Sequence, residues 1–187
     1  QLASVGRPNP LVRVEIMDDD NRILPRGKTG EICVRGDLVM TGYYKDPEKT
    51  AATIVDGWLH TGDVGHIDAR GYLHLTDRKK DMIITGGFNV YPAMVEQVLW
   101  AHPAVQDCAV IGVPDAKWGE AVKAVVELNP GQTVTADELI ALCKDKLGSV
   151  MAPKTIDFVE RLPRSAAGKV LKKDLRAPYW QGRTTRI

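Results

Sequence analysis

One run of residues that could do chemistry is Thr61-Gly62-Asp63, which places a carboxylate directly after a glycine at the end of an apolar segment. An exposed turn at this point would present both carboxylate oxygens to a vicinal diol. The same pattern is typical of an Asp that only caps a turn, and the three residues by themselves favour this second interpretation. Asp63 is therefore a candidate whose role depends on its surroundings.

A second candidate is the pair Gly86-Gly87, which is followed by Phe88 and comes shortly after the apolar run Met82-Ile83-Ile84. Paired glycines permit positive φ angles and let a ligand approach the backbone closely, so a phosphate-cradling loop is one interpretation. However, no G-x-G-x-x-G motif and no dinucleotide-binding unit accompany the pair. On these residues alone a plain turn is the better prediction.

The third candidate is the segment 163–169, a basic loop rich in Ser, Ala and Gly that precedes a predicted helix. It is superficially similar to a Walker phosphate loop, but Pro163 stands at the first glycine position and Val170 replaces the magnesium-binding Ser or Thr. The pattern still predicts an accessible lysine, Lys169, on a flexible and mobile loop. Such a lysine could neutralise a phosphate or carboxylate, although by itself it could also be merely solvated.

The sequence gives little support to a metal centre. Neither the H-x-x-x-H spacing nor a C-x-x-C pair is present, and three widely spaced cysteines do not indicate a disulfide framework. The acidic run Asp18-Asp19-Asp20 could begin a calcium loop, but Arg22 and Ile23 stand where a further oxygen ligand and the turn glycine are needed, so a solvated turn is predicted. The histidines and cysteines concerned are His60, His66, His74, His102, Cys33, Cys108 and Cys143.

The composition excludes several classes of protein. The 25 basic and 24 acidic side chains give a net charge of +1, which provides no broad field for nucleic acid or an anionic membrane. No apolar run approaches the roughly 20 residues that span a bilayer, and the cysteine usage fits a reducing cytosol. Because the chain begins at Gln1 without Met, we expect a cut or engineered start.

The elements that would position these residues are of two kinds. The first part of the chain predicts β-hairpins, with one short helix that starts after Asp46 and ends before Gly57. From Asp81 onward, strands and helices alternate, as in a small α+β domain. We therefore expect a β-rich domain over 1–79, then a hinge, and a compact α+β domain over 80–187. The predicted strands are 11–16, 31–35, 64–68, 72–77, 82–84, 107–113, 122–128 and 155–159, and the predicted helices are 47–54, 92–101, 136–147 and 170–176.

Taken in order, the motifs of this chain resemble those of the adenylate-forming superfamily, which comprises acyl-CoA synthetases, adenylation domains of peptide synthetases, and luciferases. The resemblance covers essentially the whole chain, which would be the end of the large N-terminal domain and the whole mobile C-terminal lid domain. The segments that carry it are 30–36, 42–44, 58–63, 71–72, 77–81, 86–92, 112–120 and 163–169.

The resemblance implies a role for each candidate. Asp63, from T-G-D, would bind the ribose hydroxyls of the adenylate with help from Arg78, and Lys80 would be the hinge. Lys169 would bridge the carboxylate substrate and the α-phosphate during adenylation. In a second orientation of the lid, the segment Gly86-Gly87-Phe88 would line the channel for the pantetheine thiol of CoA.

The implied reaction has two steps, in which a carboxylate attacks ATP and CoA then displaces AMP to give a thioester. The resemblance makes Mg²⁺ a companion of ATP and places its ligands, together with the acid pocket, in an N-terminal domain outside these residues. The 187-residue piece alone is therefore expected to be inactive. One departure is Met94, which replaces a glutamate of the P-x-E-V-E pattern and is interpreted as variation on a helix surface.

The sequence leaves three alternatives for the function. A fatty or aryl acid:CoA ligase is predicted because Gly87 to Pro92 are similar to the acyl-CoA ligase version of that motif. An enzyme that loads an acyl or aminoacyl group onto a carrier protein is the second interpretation, and a stand-alone binding or regulatory module is the third. The context of Lys169 is also similar to that in which related synthetases are acetylated, so a lysine acetyltransferase is an expected partner.

Overall fold

The computed structural model of the protein describes residues 4–182. The chain consists of two compact units, which divide between Lys80 and Asp81, inside the 3₁₀ turn Lys79–Asp81. This division lies one residue after the one expected from the sequence. Residues 1–3 and 183–187 of the two expected domains lie outside the described part of the chain.

The first unit is an antiparallel sheet of five strands with one short helix. Ile16 of β1 and Ile32 of β2 face a small core, which Ile67 completes. Successive side chains of a strand point to opposite faces, and the neighbours of Ile32, Glu31 and Cys33, are buried as well, so β2 is covered on both faces there. The strands lie in the order β1-β2-β4-β3, and β5 pairs with β4. The elements are β1 (Val12–Met17), β2 (Gly30–Gly36), α1 (Pro47–Thr53), β3 (Ile54–Val55), β4 (Trp58–Ile67) and β5 (Leu73–Arg78).

Helix α1 starts as predicted but ends earlier than predicted. The side chain of Asp46 accepts a hydrogen bond from the backbone N–H of Lys49 at 2.9 Å, and proline stands in the first turn. Ile54, which was expected in the helix, instead begins strand β3. The reason is the two-residue turn Asp56-Gly57, whose φ angles of 49° and 78° suit a tight hairpin into β4.

The second unit is an α+β layer structure around a mixed five-stranded sheet, so the predicted α+β class is confirmed. The long strands β8 and β9 form an antiparallel hairpin, and β10 lies parallel to β9 on its other side. Helix α3 provides the crossover that a parallel connection requires. The elements are β6 (Ile83–Thr85), β7 (Phe88–Val90), α2 (Pro92–Trp100), β8 (Val105–Asp115), β9 (Gly119–Leu128), α3 (Ala136–Leu147), β10 (Thr155–Val159) and α4 (Lys172–Trp180).

Strand β8 is buried on both faces, which explains its nearly continuous apolar sequence. Cys108 and Val110 belong to the larger core, which also contains residues of α2 and α3. Ala109 and Ile111 point to the opposite face, where residues near and within α4 cover them. The sheet is therefore held between helices on its two faces.

Helix α3 begins with a complete capping box, which leads to a testable prediction. The hydroxyl of Thr135 accepts a hydrogen bond from the N–H of Glu138, and the Glu138 carboxylate accepts one from the N–H of Thr135. We expect Thr135→Ala to lower the free energy of unfolding by about 1 kcal/mol. Denaturant titration of the 187-residue chain measures this, with the exposed Thr133→Ala as the matched control. An equal effect of the two variants would contradict the prediction.

Two further details differ from the prediction. The last helix starts at Lys172 rather than 170, because Val170 is paired with Arg164 in a β-bridge. Strand β7 was not predicted. None of the described helices is long and apolar enough to cross a membrane.

Candidate functional site

The Thr61-Gly62-Asp63 motif lies inside strand β4, so the predicted exposed turn is wrong. Strand β2 pairs Cys33 with His60 and Glu31 with Val64. Three residues of β4 therefore stand opposite a single residue of β2, which defines a bulge. The carboxylate of Asp63 is therefore presented by a bulge within a strand, where the extra residues of β4 depart from the regular pairing with β2.

Short hydrogen bonds fix the conformation of the bulge. The Thr61 hydroxyl donates to the carbonyl of Ile32 at 2.7 Å and accepts from the N–H of Asp63 at 3.1 Å. Gly62 has a φ of 72°, which is the left-handed region that glycine adopts at little cost. The order Thr-Gly-Asp is thus explained locally, since the hydroxyl closes the bulge, the glycine permits it and the aspartate is presented by it.

The structure brings the two predicted nucleotide-binding residues together. Asp63 and Arg78 are directly opposite each other on β4 and β5, and Arg78 Nε lies 2.7 Å from Asp63 Oδ1. The side chains are 60% exposed for Arg78 and 30% for Asp63. Because both remain accessible while each orients the other, they can offer a carboxylate and a guanidinium to the same polar ligand.

Glu31 belongs to the candidate site but was not predicted from the sequence. Its buried carboxylate accepts hydrogen bonds from the Gly62 N–H at 3.1 Å and from Lys79 Nζ at 3.0 Å. His60 Nδ1 lies 3.1 Å from the same carboxylate. Burial alone would raise the pKa of Glu31, but the contacts with His60 and Lys79 outweigh it and lower that pKa. Glu31 therefore holds the bulge as an anion; a charged residue within an apolar strand was the signal that could have revealed it.

Among the described residues, Glu31, Cys33 and His60 form the one group of side chains placed closely enough to share a metal ion. Two features argue against that use. The ammonium of Lys79, which also lies 2.8 Å from Asp19, already supplies positive charge at the carboxylate. Burial and the nearby Glu31 raise the pKa of Cys33 to about 11, which disfavours the thiolate that binds metals.

In the second unit, Gly86-Gly87 is the turn of a tight hairpin between β6 and β7, here called the glycine hairpin. Thr85 pairs with Phe88 across it, and the φ angles of the two glycines are 57° and 83°. A Cβ at Gly86 would lie 2.6 Å from the ring of Trp118. Both glycines therefore have a local structural reason, in addition to the predicted need to keep a channel open.

Phe88 is the exposed residue of the glycine hairpin, with 60% of its surface accessible. It borders a cavity of about 150 Å³ that is mostly apolar. Lys154 and Trp118 are on the rim of the same cavity. The hairpin thus combines accessible backbone, an aromatic face and a nearby cation, which suits a slender ligand with an apolar arm and an anionic end.

The segment 163–169, here called the lysine loop, is a turn closed by hydrogen bonds, and its mobility stays a prediction. The Ser165 N–H donates to the carbonyl of Lys169 at 2.8 Å, and the Gly168 N–H donates to the carbonyl of Ser165 at 2.8 Å. The Lys169 N–H donates to the Ser165 hydroxyl at 3.2 Å. Lys169 itself is exposed, as expected, so its ammonium projects from a defined turn.

The glycine hairpin and the lysine loop lie at opposite ends of the second unit. Thr85, beside the glycines, pairs with Gly119 at the start of β9. Leu162, beside the lysine loop, donates its N–H to Glu127 near the end of β9 at 3.0 Å. Eight residues of strand separate Gly119 from Glu127, or about 26 Å at ~3.3 Å per residue. The two elements therefore cannot meet at one point of the same small site.

The remaining candidate, Lys80, is the last residue of the first unit and has an exposed side chain. It lies in the short 3₁₀ turn Lys79–Asp81. Turns of this kind have poorer hydrogen-bond geometry than α-helices and are common as short connectors. Its position at the division between the units is consistent with the hinge expected there.

Two family models match the chain. The AMP-binding enzyme model matches residues 1–44 and the AMP-binding enzyme C-terminal domain model matches residues 94–169. Together with the ordered motifs, these matches define the class: the chain belongs to the adenylate-forming, or AMP-binding, enzyme superfamily.

Individual relatives agree with this class. The chain is 46% identical to the medium/long-chain-fatty-acid–CoA ligase FadD8 of Mycobacterium tuberculosis, over 97% of this chain and 33% of the relative. It is also 46% identical to a feruloyl-CoA synthase of an Amycolatopsis species, over 96% of this chain and 36% of the relative. Among solved structures, the amide bond synthetase McbA from Marinactinospora thermotolerans superposes with a TM-score of 0.86 at 48% identity, over 95% of this chain and 37% of McbA. The chain thus spans about a third of the length of these relatives.

Proposed function

We propose that this chain is the C-terminal part of an ATP-dependent acid:CoA ligase that forms an acyl-adenylate and then an acyl-CoA thioester. The observation that carries the proposal is the separation of the glycine hairpin from the lysine loop by about 26 Å of strand. Two such elements cannot act together, but they can act in turn. This arrangement suits a two-step reaction on one bound acyl group, in which each element serves one step.

In this proposal the first unit holds the adenylate. Asp63 accepts hydrogen bonds from the ribose hydroxyls, and Arg78 orients Asp63 and contributes a second charge-assisted contact. Contacts of this kind are worth roughly 1.5–3 kcal/mol each. Glu31 holds the bulge so that the carboxylate of Asp63 need not be ordered when the nucleotide binds.

The second unit supplies one element to each step. During adenylation the ammonium of Lys169 lies between the substrate carboxylate and the α-phosphate, where it stabilises developing negative charge. During thioester formation the glycine hairpin lines the path of the pantetheine thiol, and Phe88 covers its apolar part. Lys80 is the hinge about which the lid changes from one arrangement to the other.

Magnesium would accompany ATP and neutralise its phosphates. Mg²⁺ prefers six oxygen ligands in octahedral geometry. Glu31, Cys33 and His60 do not fit that preference, because two of them offer sulfur or nitrogen and Lys79 already lies at the carboxylate. We therefore place the magnesium ligands, like the acid-binding pocket, in a larger N-terminal domain.

The test is ATP–pyrophosphate exchange by the longer protein in which we place this chain, against a panel of fatty and aromatic acids. The 187-residue chain is assayed in parallel as the matched negative control. We expect exchange that depends on one class of acid and is absent from the short chain. Exchange by the short chain, or none by the longer protein with any acid, would refute the proposal.

A second assay identifies the acceptor. Purified acyl-adenylate is offered with CoA, with a carrier protein bearing phosphopantetheine, or with an amine, since McbA is an amide bond synthetase. We expect thioester with CoA and little product with the other two. A preference for the carrier protein would establish the alternative in which the enzyme loads a carrier. Acetylation of Lys169 stays a prediction that intact mass measurement of the cellular protein would test.

A further inference from the structure

We propose that Arg164 is a positioning residue, which fixes the orientation of the lysine loop so that Lys169 is presented correctly for adenylation. The inference rests on the proposed role of Lys169 and extends it to a residue that acts through the loop. It follows from contacts within the second unit alone.

Arg164 connects the lysine loop to the central sheet. One end of its guanidinium, Nη1, donates to the carbonyl of Gly168 at 3.2 Å, inside the loop. The other end, Nη2, donates to the carboxylate of Asp107 on β8. A planar guanidinium can serve two acceptors in fixed relative positions, which a lysine ammonium on a flexible stem does less well. The turn is therefore tied to the sheet immediately before Lys169.

The anchor on the sheet is itself rigid. Asp107 also accepts hydrogen bonds from the Trp100 indole at 2.9 Å and from the Cys108 N–H at 2.8 Å. Burial alone would raise the pKa of Asp107, but the bonds from Arg164, Trp100 and Cys108 lower it. A second carboxylate, that of the buried Glu127, lies 3.8 Å from Arg164. The guanidinium thus faces two anions that the sheet holds in place.

The bonds within the loop close the turn but do not orient it. Among the described residues, Ser165 bonds with Lys169 and Gly168 of the same turn, so these bonds do not stop the turn from tilting away from the sheet, and they open more often when the turn is not held there. The link from Arg164 to Asp107 prevents that tilt. Because a displacement of about 1 Å can cost roughly 100-fold in rate, orientation of the backbone beneath an exposed lysine is a catalytic requirement.

The experiment compares Arg164→Gln with Arg161→Gln, a nearby exposed arginine, in the longer protein. We expect Arg164→Gln to lower the adenylation rate about 10- to 100-fold and to leave thioester formation from purified acyl-adenylate within about twofold. Arg164→Lys should recover part of the lost adenylation rate, because it keeps the positive charge but not the planar guanidinium that serves two acceptors. Equal losses in both half-reactions would overturn the proposal, since a general structural defect would have that effect.

A double variant separates this proposal from the proposed function. In a Lys169→Ala background, Arg164→Gln should cause no further loss of adenylation, because the two residues act as one unit. An additional tenfold loss in that background would show that Arg164 acts independently of Lys169. If Lys169→Ala leaves adenylation intact, it is the proposed role of Lys169 that fails.

The effect of the contact between Arg164 and Asp107, here called the clamp, can also be measured without an activity assay. In the 187-residue chain, Arg164→Gln and Asp107→Asn should both speed amide hydrogen exchange at Lys169 and Gly168, while Arg161→Gln should not. Peptides from β8 and β9 report whether the sheet is intact. Unchanged exchange in the loop of both clamp variants would overturn the proposal, whatever the assays of catalysis show.

Discussion

Replacing Lys169 with alanine should lower the rate of acyl-adenylate formation by roughly 10²–10³, the effect of removing one oriented donor to developing charge. The loss should appear in the rate of the adenylation step, because the ammonium acts where charge develops between two anions. Thioester formation from purified acyl-adenylate should change little, because the glycine hairpin lies at the other end of β9. Single-turnover assays of each half-reaction measure both quantities.

The matched control is Lys173→Ala, which removes an exposed lysine from helix α4. It should leave both half-reactions unchanged. The prediction is wrong if Lys169→Ala slows the thioester step as much as adenylation, since the lysine would then act in both arrangements of the lid. Lys169→Arg should remain well below the wild-type rate, because the guanidinium spreads its charge over a wider group.

Glu31→Gln should both destabilise the first unit and weaken nucleotide binding. The substitution keeps the shape of the side chain but removes the charge that Lys79 and His60 face. We expect the free energy of unfolding to fall by roughly 1.5–3 kcal/mol, the range for hydrogen bonds to charged groups. As the bulge loosens, Asp63 loses its fixed position, so the KM for ATP should rise about tenfold in the longer protein. Denaturant titration of the 187-residue chain and initial-rate kinetics measure the two effects.

The pH dependence of stability provides an independent check on Glu31. Its pKa is lowered in the folded protein, so the unfolded chain binds the proton more readily. The contribution of Glu31 is therefore present above its ordinary pKa and is lost as the pH falls towards the lowered value. Glu31→Gln should flatten the stability profile in this acidic range, whereas Glu48→Gln, at an exposed position of α1, should not.

Much of the fold follows from local patterns in the sequence. The alternation around Val14 and the Asp46-Pro47 cap are decided by residues close in the chain, and both strand β1 and the start of helix α1 are found where the sequence predicts them. Helix α3 has the predicted bounds, because its capping box and its Gly148 terminator are strong local signals. The period of the apolar residues and the capping residues are sufficient to predict an element wherever no contact with a distant residue changes its structure.

The sites are less predictable because distant residues decide their geometry. The Thr61-Gly62-Asp63 run has the composition of a turn, but β2 holds it in a bulge through Glu31, some 30 residues earlier. The lysine loop has the composition of a flexible segment, but Asp107 lies 57 residues away in sequence and anchors Arg164. The composition of a segment reveals neither of these contacts with residues far away in the sequence. The motif resemblance named the candidate residues, and the structure explains how two of them are held.

The long β8–β9 hairpin has a consequence for how the second unit assembles. Its strands are joined by the three residues between Asp115 and Gly119, so its register depends on contacts that are close in the chain. β6 and β10 add to β9 from further away in sequence, and closing those longer loops costs more entropy. We expect the hairpin to be the folding nucleus, with φ-values well above those of β10. The conformations of both the glycine hairpin and the lysine loop would then be acquired late, after the strand that separates them has formed.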